Sequence, residues 1–174
     1  MKYGIKAAGL KQPAAFCLSN CISNSFVTPT KDSQMPAHYQ LELTTPSVTD
    51  YCHLRLASGL SAKTVEAATI GLAATLFAVQ ITLEGQVVAM GRLVGDGGCH
   101  CQVCDIAVLP EHQGKGLGKM VMQALMDYIH QELPDSCYIN LIADGDARYL
   151  YEKYGFTDVA PASIGMALML RRRT

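Results

Sequence analysis

The chain has 174 residues, 49% of them hydrophobic and 17% charged, with a formal net charge of -1. This length suits one hydrophobic core, the composition excludes a disordered chain, and the charge balance gives no overall field to hold nucleic acid or an anionic membrane surface. No apolar run is long enough to cross a bilayer, and the seven Cys lack the spacing of a small secreted scaffold, so a soluble cytoplasmic protein with reduced thiols is expected.

Residues 1–37 mix Lys, Ser, Asn, Thr and Pro with scattered apolar residues and end in Thr28-Pro29-Thr30 and Met35-Pro36. They read as a loosely ordered appendage, with a substrate lid or partner-binding arm as the other reading, and no secretory signal is recognisable in them. The folded domain is expected over residues 38–174. Tyr39, Leu41 and Leu43 alternate with polar residues as in a half-buried strand, which Thr44-Thr45-Pro46 ends. Ser47 or Thr49 can cap a helix carrying Tyr51, Leu54 and Leu56, and Ser58-Gly59-Leu60-Ser61 resets the chain for a second helix through Val65, Ala68 and Leu72.

Two β-prone runs, residues 76–81 and 87–94, meet at Glu84-Gly85 as a hairpin. After Gly95-Asp96-Gly97-Gly98 another strand runs from Val103 to Val108 and stops at Pro110. The next helix carries Leu117, Met120, Val121, Ala124, Leu125, Tyr128 and Ile129 on one stripe at i, i+3, i+4 and i+7 spacing. Residues 138–143 read as a buried strand, 146–154 as a short helix ended by Gly155, and 164–170 as a closing strand. The order is mixed α/β, without repeats.

A strand running through a glycine-rich turn into a helix aims unpaired backbone N–H groups and the positive end of the helix dipole at one spot, which suits a phosphate. Gly114, Gly116 and Gly118 can take positive φ and admit a ligand close to the backbone, while Lys115 and Lys119 add charge. The run lacks the Lys-Ser/Thr ending of a nucleotide P-loop and the glycine spacing of a dinucleotide fingerprint. Asp105-Ile106-Ala107-Val108-Leu109-Pro110-Glu111-His112-Gln113-Gly114-Lys115-Gly116-Leu117-Gly118 instead closely resembles the acyl-CoA motif of the GNAT acetyltransferases. Ala147-Arg148-Tyr149-Leu150-Tyr151-Glu152-Lys153-Tyr154-Gly155-Phe156 is similar to that family's late helix.

The resemblance, covering roughly Tyr39 to the C-terminus, implies a twisted, mostly antiparallel mixed α/β (α+β) sheet flanked by helices, with a splay between the strands ending at Val108 and Ala143. It implies acetyl transfer from acetyl-CoA to an amine, without a metal, by direct attack in a ternary complex. In the cofactor site it places Ile106, Ala107 and Val108 along the pantetheine, the segment Gln113, Gly114, Lys115, Gly116, Leu117, Gly118 and Lys119 at the pyrophosphate, and Asp144 and Tyr151 nearby. Many relatives have Asn where Asp144 stands. Tyr151 resembles the acid that protonates the leaving thiolate, a role suited to a phenol, with Tyr149 and Tyr154 as alternatives.

Relatives often carry a base where this chain has Gln102 and Cys104, neither of which suits that task. Asp105 resembles an acidic residue of several relatives, including polyamine acetyltransferases, and is the candidate base, although simple alternation puts it on the opposite face from Cys104. Its other reading is a structural carboxylate, with deprotonation running through water. His53 and Arg55 read as surface residues that could face an acceptor. Cys99, Cys101 and Cys104 around His100 lie on one strand without a complementary ligand pair, so no metal is expected. Arg171-Arg172-Arg173 reads as a solvated tail. The acceptor is expected to be a small primary amine, with a protein N-terminus or lysine second, and a non-catalytic acyl-CoA-binding regulator is the competing class. Exposed sheet edges make a homodimer reasonable.

Overall fold

A computed structural model describes residues 39–170, and both the N-terminal segment and the Arg171-Arg172-Arg173 run lie outside the described residues. The sheet has the order β1 (Tyr39–Glu42), β2 (Phe77–Leu83), β3 (Gln86–Gly95), β4 (His100–Val108) and β5 (Tyr138–Asn140). β1 to β4 pair antiparallel, whereas β5 runs parallel to β4. The hairpin between β2 and β3 turns on Glu84 and Gly85, both at positive φ, which gives the twist that matches two antiparallel strands.

Helices cover both faces. α1 (Val48–Ala57) is capped by Ser47, whose Oγ accepts from the Asp50 N–H at 3.1 Å, and α2 (Val65–Ala73) by Thr64, which does the same for Ala67. α3 (Leu117–Glu132) lies on the other face and buries Leu117, Val121, Met122, Leu125, Met126 and Ile129. Its stripe is wider than the sequence spacing suggests, since Met122 and Met126 are buried while Met120, Ala124 and Tyr128 pack at the margin. Gly91 of β3 lets α3 approach: a Cβ there would lie 2.4 Å from the Val121 side chain. Phe77 stacks on Tyr128 with centroids 4.1 Å apart on this apolar face.

The face toward α1 and α2 is different, because it holds the buried polar groups Arg55, Gln80, Thr82 and Arg92. Gln80 and Thr82 donate to the Glu42 carboxylate at 2.7 and 3.1 Å across the β1–β2 pair. Two 3₁₀ turns, Gly145–Ala147 and Glu152–Tyr154, flank the single turn of α4 (Arg148–Tyr151), and Gly155 at φ 87° ends the segment.

The chain's last part departs from the sequence reading. β5 stops at Asn140 rather than Ala143, and residues 164–170, read as a closing strand, form no strand. A strand exists only with a neighbour on its hydrogen-bonding edge, and none of the backbone groups of 164–170 bonds to a described residue's backbone. No helix of the described residues is long and apolar enough to cross a membrane.

Candidate functional site

β4 and β5 pair only through His100, Cys101 and Gln102, opposite Tyr138, Ile139 and Asn140. Beyond Gln102 β4 runs on through residues 103–108 while β5 ends, so the two strands part and leave a splay that opens toward the glycine-rich turn. Pro110 closes β4 and begins a 3₁₀ turn, Pro110–His112, whose last N–H bonds are Gln113 to Pro110 and His112 to Leu109. Gly114 and Gly116 then take left-handed φ of 74° and 85°, and Gly116 becomes the N-cap of α3. Gly118 does not need positive φ; it sits in the first turn of α3, where a Cβ would meet Leu150 at 3.6 Å and Val108 at 4.0 Å.

The consequence is a run of free donors. The backbone N–H groups of Gly114, Lys115, Gly116, Leu117 and Gly118 have no partner among the described residues, and the ladder of α3 begins only when Lys119 and Met120 donate to the Gly116 carbonyl. These amides lie at the positive end of a helix of 16 residues. They border a cleft of about 400 Å³ lined by Val108, His112, Gln113, Gly114, Gly116, Leu117, Gly118, Lys119 and Leu150. The Gln113 side chain donates Nε2–H to the Val108 carbonyl at 3.0 Å, which ties the end of β4 to the turn.

His112 and Leu150 also line the cleft, and the sequence motifs give neither of them a role there. His112 Nδ1 lies 2.8 Å from the hydroxyl of the buried Tyr39, a contact between the first strand and the turn after β4 that no local motif encodes. Of the sequence candidates, Val108, Gln113, Gly114, Gly116, Leu117, Gly118 and Lys119 meet at the cleft, whereas Ile106, Ala107, Lys115, Asp144, Tyr151 and Asp105 are not part of its lining.

Tyr151 stands beside this wall, one residue after Leu150, with its ring packed into the core. Burial, followed by the negative charge of Asp144, holds its phenol above the ordinary tyrosine range, so the hydroxyl keeps its proton. Asp144 itself is exposed at the start of the preceding 3₁₀ turn. The other two tyrosines are engaged otherwise: Tyr154 donates to the Lys119 carbonyl at 2.9 Å, and Tyr149 is exposed beneath the Arg148 guanidinium.

Asp105 occupies the centre of a buried ion cluster. β4 has an extra residue between Cys104, opposite Arg92, and Ala107, opposite Met90, and Asp105 sits in this bulge at φ 57°. The bulge breaks the period of two, so the expectation that Asp105 points away from Cys104 fails: Cys104 Sγ lies 3.6 Å from Asp105 Oδ2. Arg92 Nε donates to Oδ2 at 2.7 Å, the Tyr51 hydroxyl donates to the same oxygen at 3.1 Å, and Arg55 Nη1 donates to Oδ1. From sequence Arg55 reads as a surface residue, but it is buried, because α1 turns it inward to meet Asp105 and the Ser61 carbonyl. His53 is exposed, as read.

Both oxygens of this carboxylate are engaged by donors of the chain itself, two guanidiniums and a phenol. Burial opposes the charge on Arg92, and the adjacent Asp105 carboxylate overrides it, holding the guanidinium above its ordinary value. Burial, then the charge of Asp105, pushes the Cys104 thiol up to about 12, which excludes it as a thiolate near neutral pH. No group of three or more His, Cys, Asp or Glu comes together in metal-binding geometry among the described residues.

A mixed sheet that splays beside an amide-lined helix N-terminus has the geometry and charge suited to a phosphate-bearing ligand. The sequence matches the acetyltransferase (GNAT) domain family over residues 74–158. A crystal structure from meticillin-resistant Staphylococcus aureus, of a protein of unknown function described as a probable acetyltransferase, is 41% identical with a TM-score of 0.73, covering 76% of this chain and 99% of that one. An uncharacterised N-acetyltransferase of Porphyra purpurea is 34% identical over 71 residues, which is 41% of this chain and 40% of the relative. The [ribosomal protein bS18]-alanine N-acetyltransferase of Haemophilus influenzae is 34% identical over 55 residues, 32% of this chain and 38% of the relative. The chain thus spans about two fifths of the length of these curated relatives. It belongs to the GNAT superfamily of N-acetyltransferases.

Proposed function

We propose that this protein transfers the acetyl group of acetyl-CoA to a primary amine, with a small molecule as the acceptor. The observation that carries the reading is the row of unpaired amides from Gly114 to Gly118 beside the β4–β5 splay. Those donors fit a pyrophosphate: they converge at a helix N-terminus, the left-handed glycines leave the approach open, and Lys119 lines the same cleft.

When bound, acetyl-CoA supplies the activated thioester. The residues of this chain do the rest. The amides of the turn and α3 hold negative charge, and Gln113 fixes the end of β4 through the Val108 carbonyl. The phenol of Tyr151, kept protonated by its surroundings, would hold the proton that a leaving thiolate takes up. As the amine forms its C–N bond and the C–S bond breaks, the amine's proton passes to water, because Asp105 is committed to Arg55, Arg92 and Tyr51. Asp105 therefore holds the bulge rather than acting as the base.

A second reading is favoured by the bS18-alanine N-acetyltransferase similarity, and takes a protein N-terminal alanine as acceptor. An acceptor screen that measures released thiol, with small amines and alanine-initiated peptides side by side, separates the two. Tight CoA binding without thiol release from any amine would leave a non-catalytic acyl-CoA-binding protein.

A further inference from the structure

Cys99, Cys101 and Cys104 find no ligand partner along their own strand, and acetyl transfer uses none of them. The fold separates them. Cys104 lies beside Asp105, while Cys101 shares a face with Val103, opposite Leu93 and Phe77, and so lies on the α3 side of the sheet. Cys137, which directly precedes β5, joins Cys99 and Cys101 there. The Cys99 carbonyl accepts from the Tyr138 N–H at 2.8 Å, so the parallel register of His100 with Tyr138, continued by one residue, puts Cys99 opposite Cys137. Desolvation, then a hydrogen bond to Cys101, raises the Cys137 thiol above the ordinary cysteine range, and the charges of Asp96 and Cys99 add to this. Three thiols therefore share one neighbourhood at the root of the β4–β5 pair.

Their access to solvent is graded. Cys99 is exposed, Cys137 is half-buried, and Cys101 is buried so closely that a Cβ on Gly95 would lie 2.8 Å from its Sγ. A small oxidant in solution meets Cys99 first. The backbone around Cys99 is held in place, because Asp96 Oδ1 accepts from the N–H groups of Gly98, Cys99 and His100 at 2.8, 2.8 and 3.0 Å. Opposite positions on neighbouring strands are about 4.8 Å apart, which is within the Cα separation that a disulfide spans.

We infer that Cys99 and Cys137 form a reversible disulfide site across the root of the β4–β5 pair, with a peroxide as the oxidant. The Cys99 thiolate attacks one peroxide oxygen, the O–O bond breaks, and hydroxide leaves to give a sulfenic acid. The Cys137 thiolate then attacks the Cys99 sulfur, the S–O bond breaks, and a second hydroxide leaves. The protons of the two thiols convert both hydroxides to water, so two thiols and one hydrogen peroxide become one disulfide and two waters. Cys101, hydrogen-bonded to Cys137, keeps that thiol beside β4. The strands pair over three residues only, and the splay begins just past Gln102 and Asn140. A covalent bond at the closed end fixes the root from which the strands part. Formation of the bond needs nothing from the acetyl-transfer reading.

The test uses the full chain, reduced and then treated with a stoichiometric amount of hydrogen peroxide, with free thiols capped by iodoacetamide before digestion and mass mapping. The expected product is a Cys99–Cys137 linkage that dithiothreitol reverses. Cys101→Ser should still form it, and Cys99→Ser and Cys137→Ser should each lose it. Hydrogen exchange at residues 138–140 should be at least about tenfold slower in the oxidised chain than in the reduced one. Sulfinic or sulfonic acid at Cys99 beside a free Cys137 overturns the site. So does a linkage of Cys137 to Cys101, Cys17, Cys21 or a second copy, or a bond that survives Cys99→Ser. A bond that forms without slowing exchange at residues 138–140 overturns the consequence for the splay. The wild-type mass map decides the pairing even if Cys101→Ser, a change at a buried position, fails to fold.

Discussion

Replacing Asp105 by Asn removes one charge and turns one of its two accepting oxygens into an amide donor that faces either Arg55 or the Arg92–Tyr51 pair. Asn has nearly the same volume and tolerates the left-handed φ of 57° at this position, so the bulge itself is not strained by the change. What changes is the balance between two buried guanidiniums and one carboxylate, since the Arg55 and Arg92 side chains are 7% and 9% exposed and that of Asp105 is 8% exposed. At an effective dielectric of about 20, each Arg–Asp attraction at ~4 Å is worth about 4 kcal/mol. Part of the two lost attractions is recovered, because the neutral amide no longer needs its hydration replaced. The net loss expected for leaving buried charge uncompensated is about 3–5 kcal/mol.

For a domain of this size that corresponds to a fall in Tm of about 10–20 °C. Urea unfolding monitored by circular dichroism measures it directly. The companion variant Arg55→Met/Arg92→Met/Asp105→Leu removes the whole charge cluster and should lose much less, because buried ion networks are often no more stable than an apolar replacement. A loss below about 1 kcal/mol in Asp105→Asn would mean that the cluster does not hold the bulge, and would return Asp105 to the list of candidate bases. A charge-free variant that keeps most of its kcat would exclude Asp105 as the base independently.

Three further outcomes are expected. Gly118→Val, which adds bulk between Leu150 and Val108 without a left-handed backbone to strain, should weaken CoA binding at least tenfold by calorimetry while leaving the melting curve within a few degrees; unchanged affinity would remove the cradle assignment. Iodoacetamide at pH 8 should label the exposed Cys99 rapidly and Cys104 only on unfolding, since the Cys104 thiol stays protonated; peptide mass mapping checks this, and equal rates would refute the burial argument. Tyr151→Phe should lower kcat by a factor on the order of 10² with CoA affinity unchanged, and a variant with near-wild-type kcat would move the acid elsewhere.

The parts of the fold that were legible in the sequence are those in which chemistry and neighbours along the chain coincide. The Glu84-Gly85 hairpin, the Ser47 cap, the glycine turn and the α3 stripe each depend on residues within a few positions of one another. The parts that were not legible depend on distant partners. Arg55 is followed by Leu56, Ala57 and Ser58 and reads as a helix surface residue, yet it is buried because Asp105 lies 50 positions away across the core. The bulge at Asp105 is invisible to alternation, because a single inserted residue flips the face without changing the composition. The strand pattern of residues 164–170 is legible, but a pattern becomes a strand only when it pairs with one, and among the described residues this segment pairs with none.

Titration tests the placement of the acid at Tyr151. The native Tyr151 phenol lies above its unfolded value through burial and the charge of Asp144, so its protonated form is the one that the fold favours. Below about pH 10 the phenol is protonated in both states and its contribution to stability is fully present. As pH rises the unfolded chain ionises first, and that contribution is lost as the native value is passed. The activity of a Tyr151-dependent enzyme should therefore hold through neutral and mildly alkaline pH and fall only above the ordinary tyrosine range, in the same window where stability begins to drop. Asp144→Asn removes the second cause of the shift and should bring the alkaline fall to lower pH without altering the cleft, because Asp144 is exposed and lies outside the lining. A pH–rate profile of the two variants decides the matter: an alkaline limb that stays in place in Asp144→Asn and persists in Tyr151→Phe belongs to some other group, and the proton on the leaving thiolate then comes from solvent.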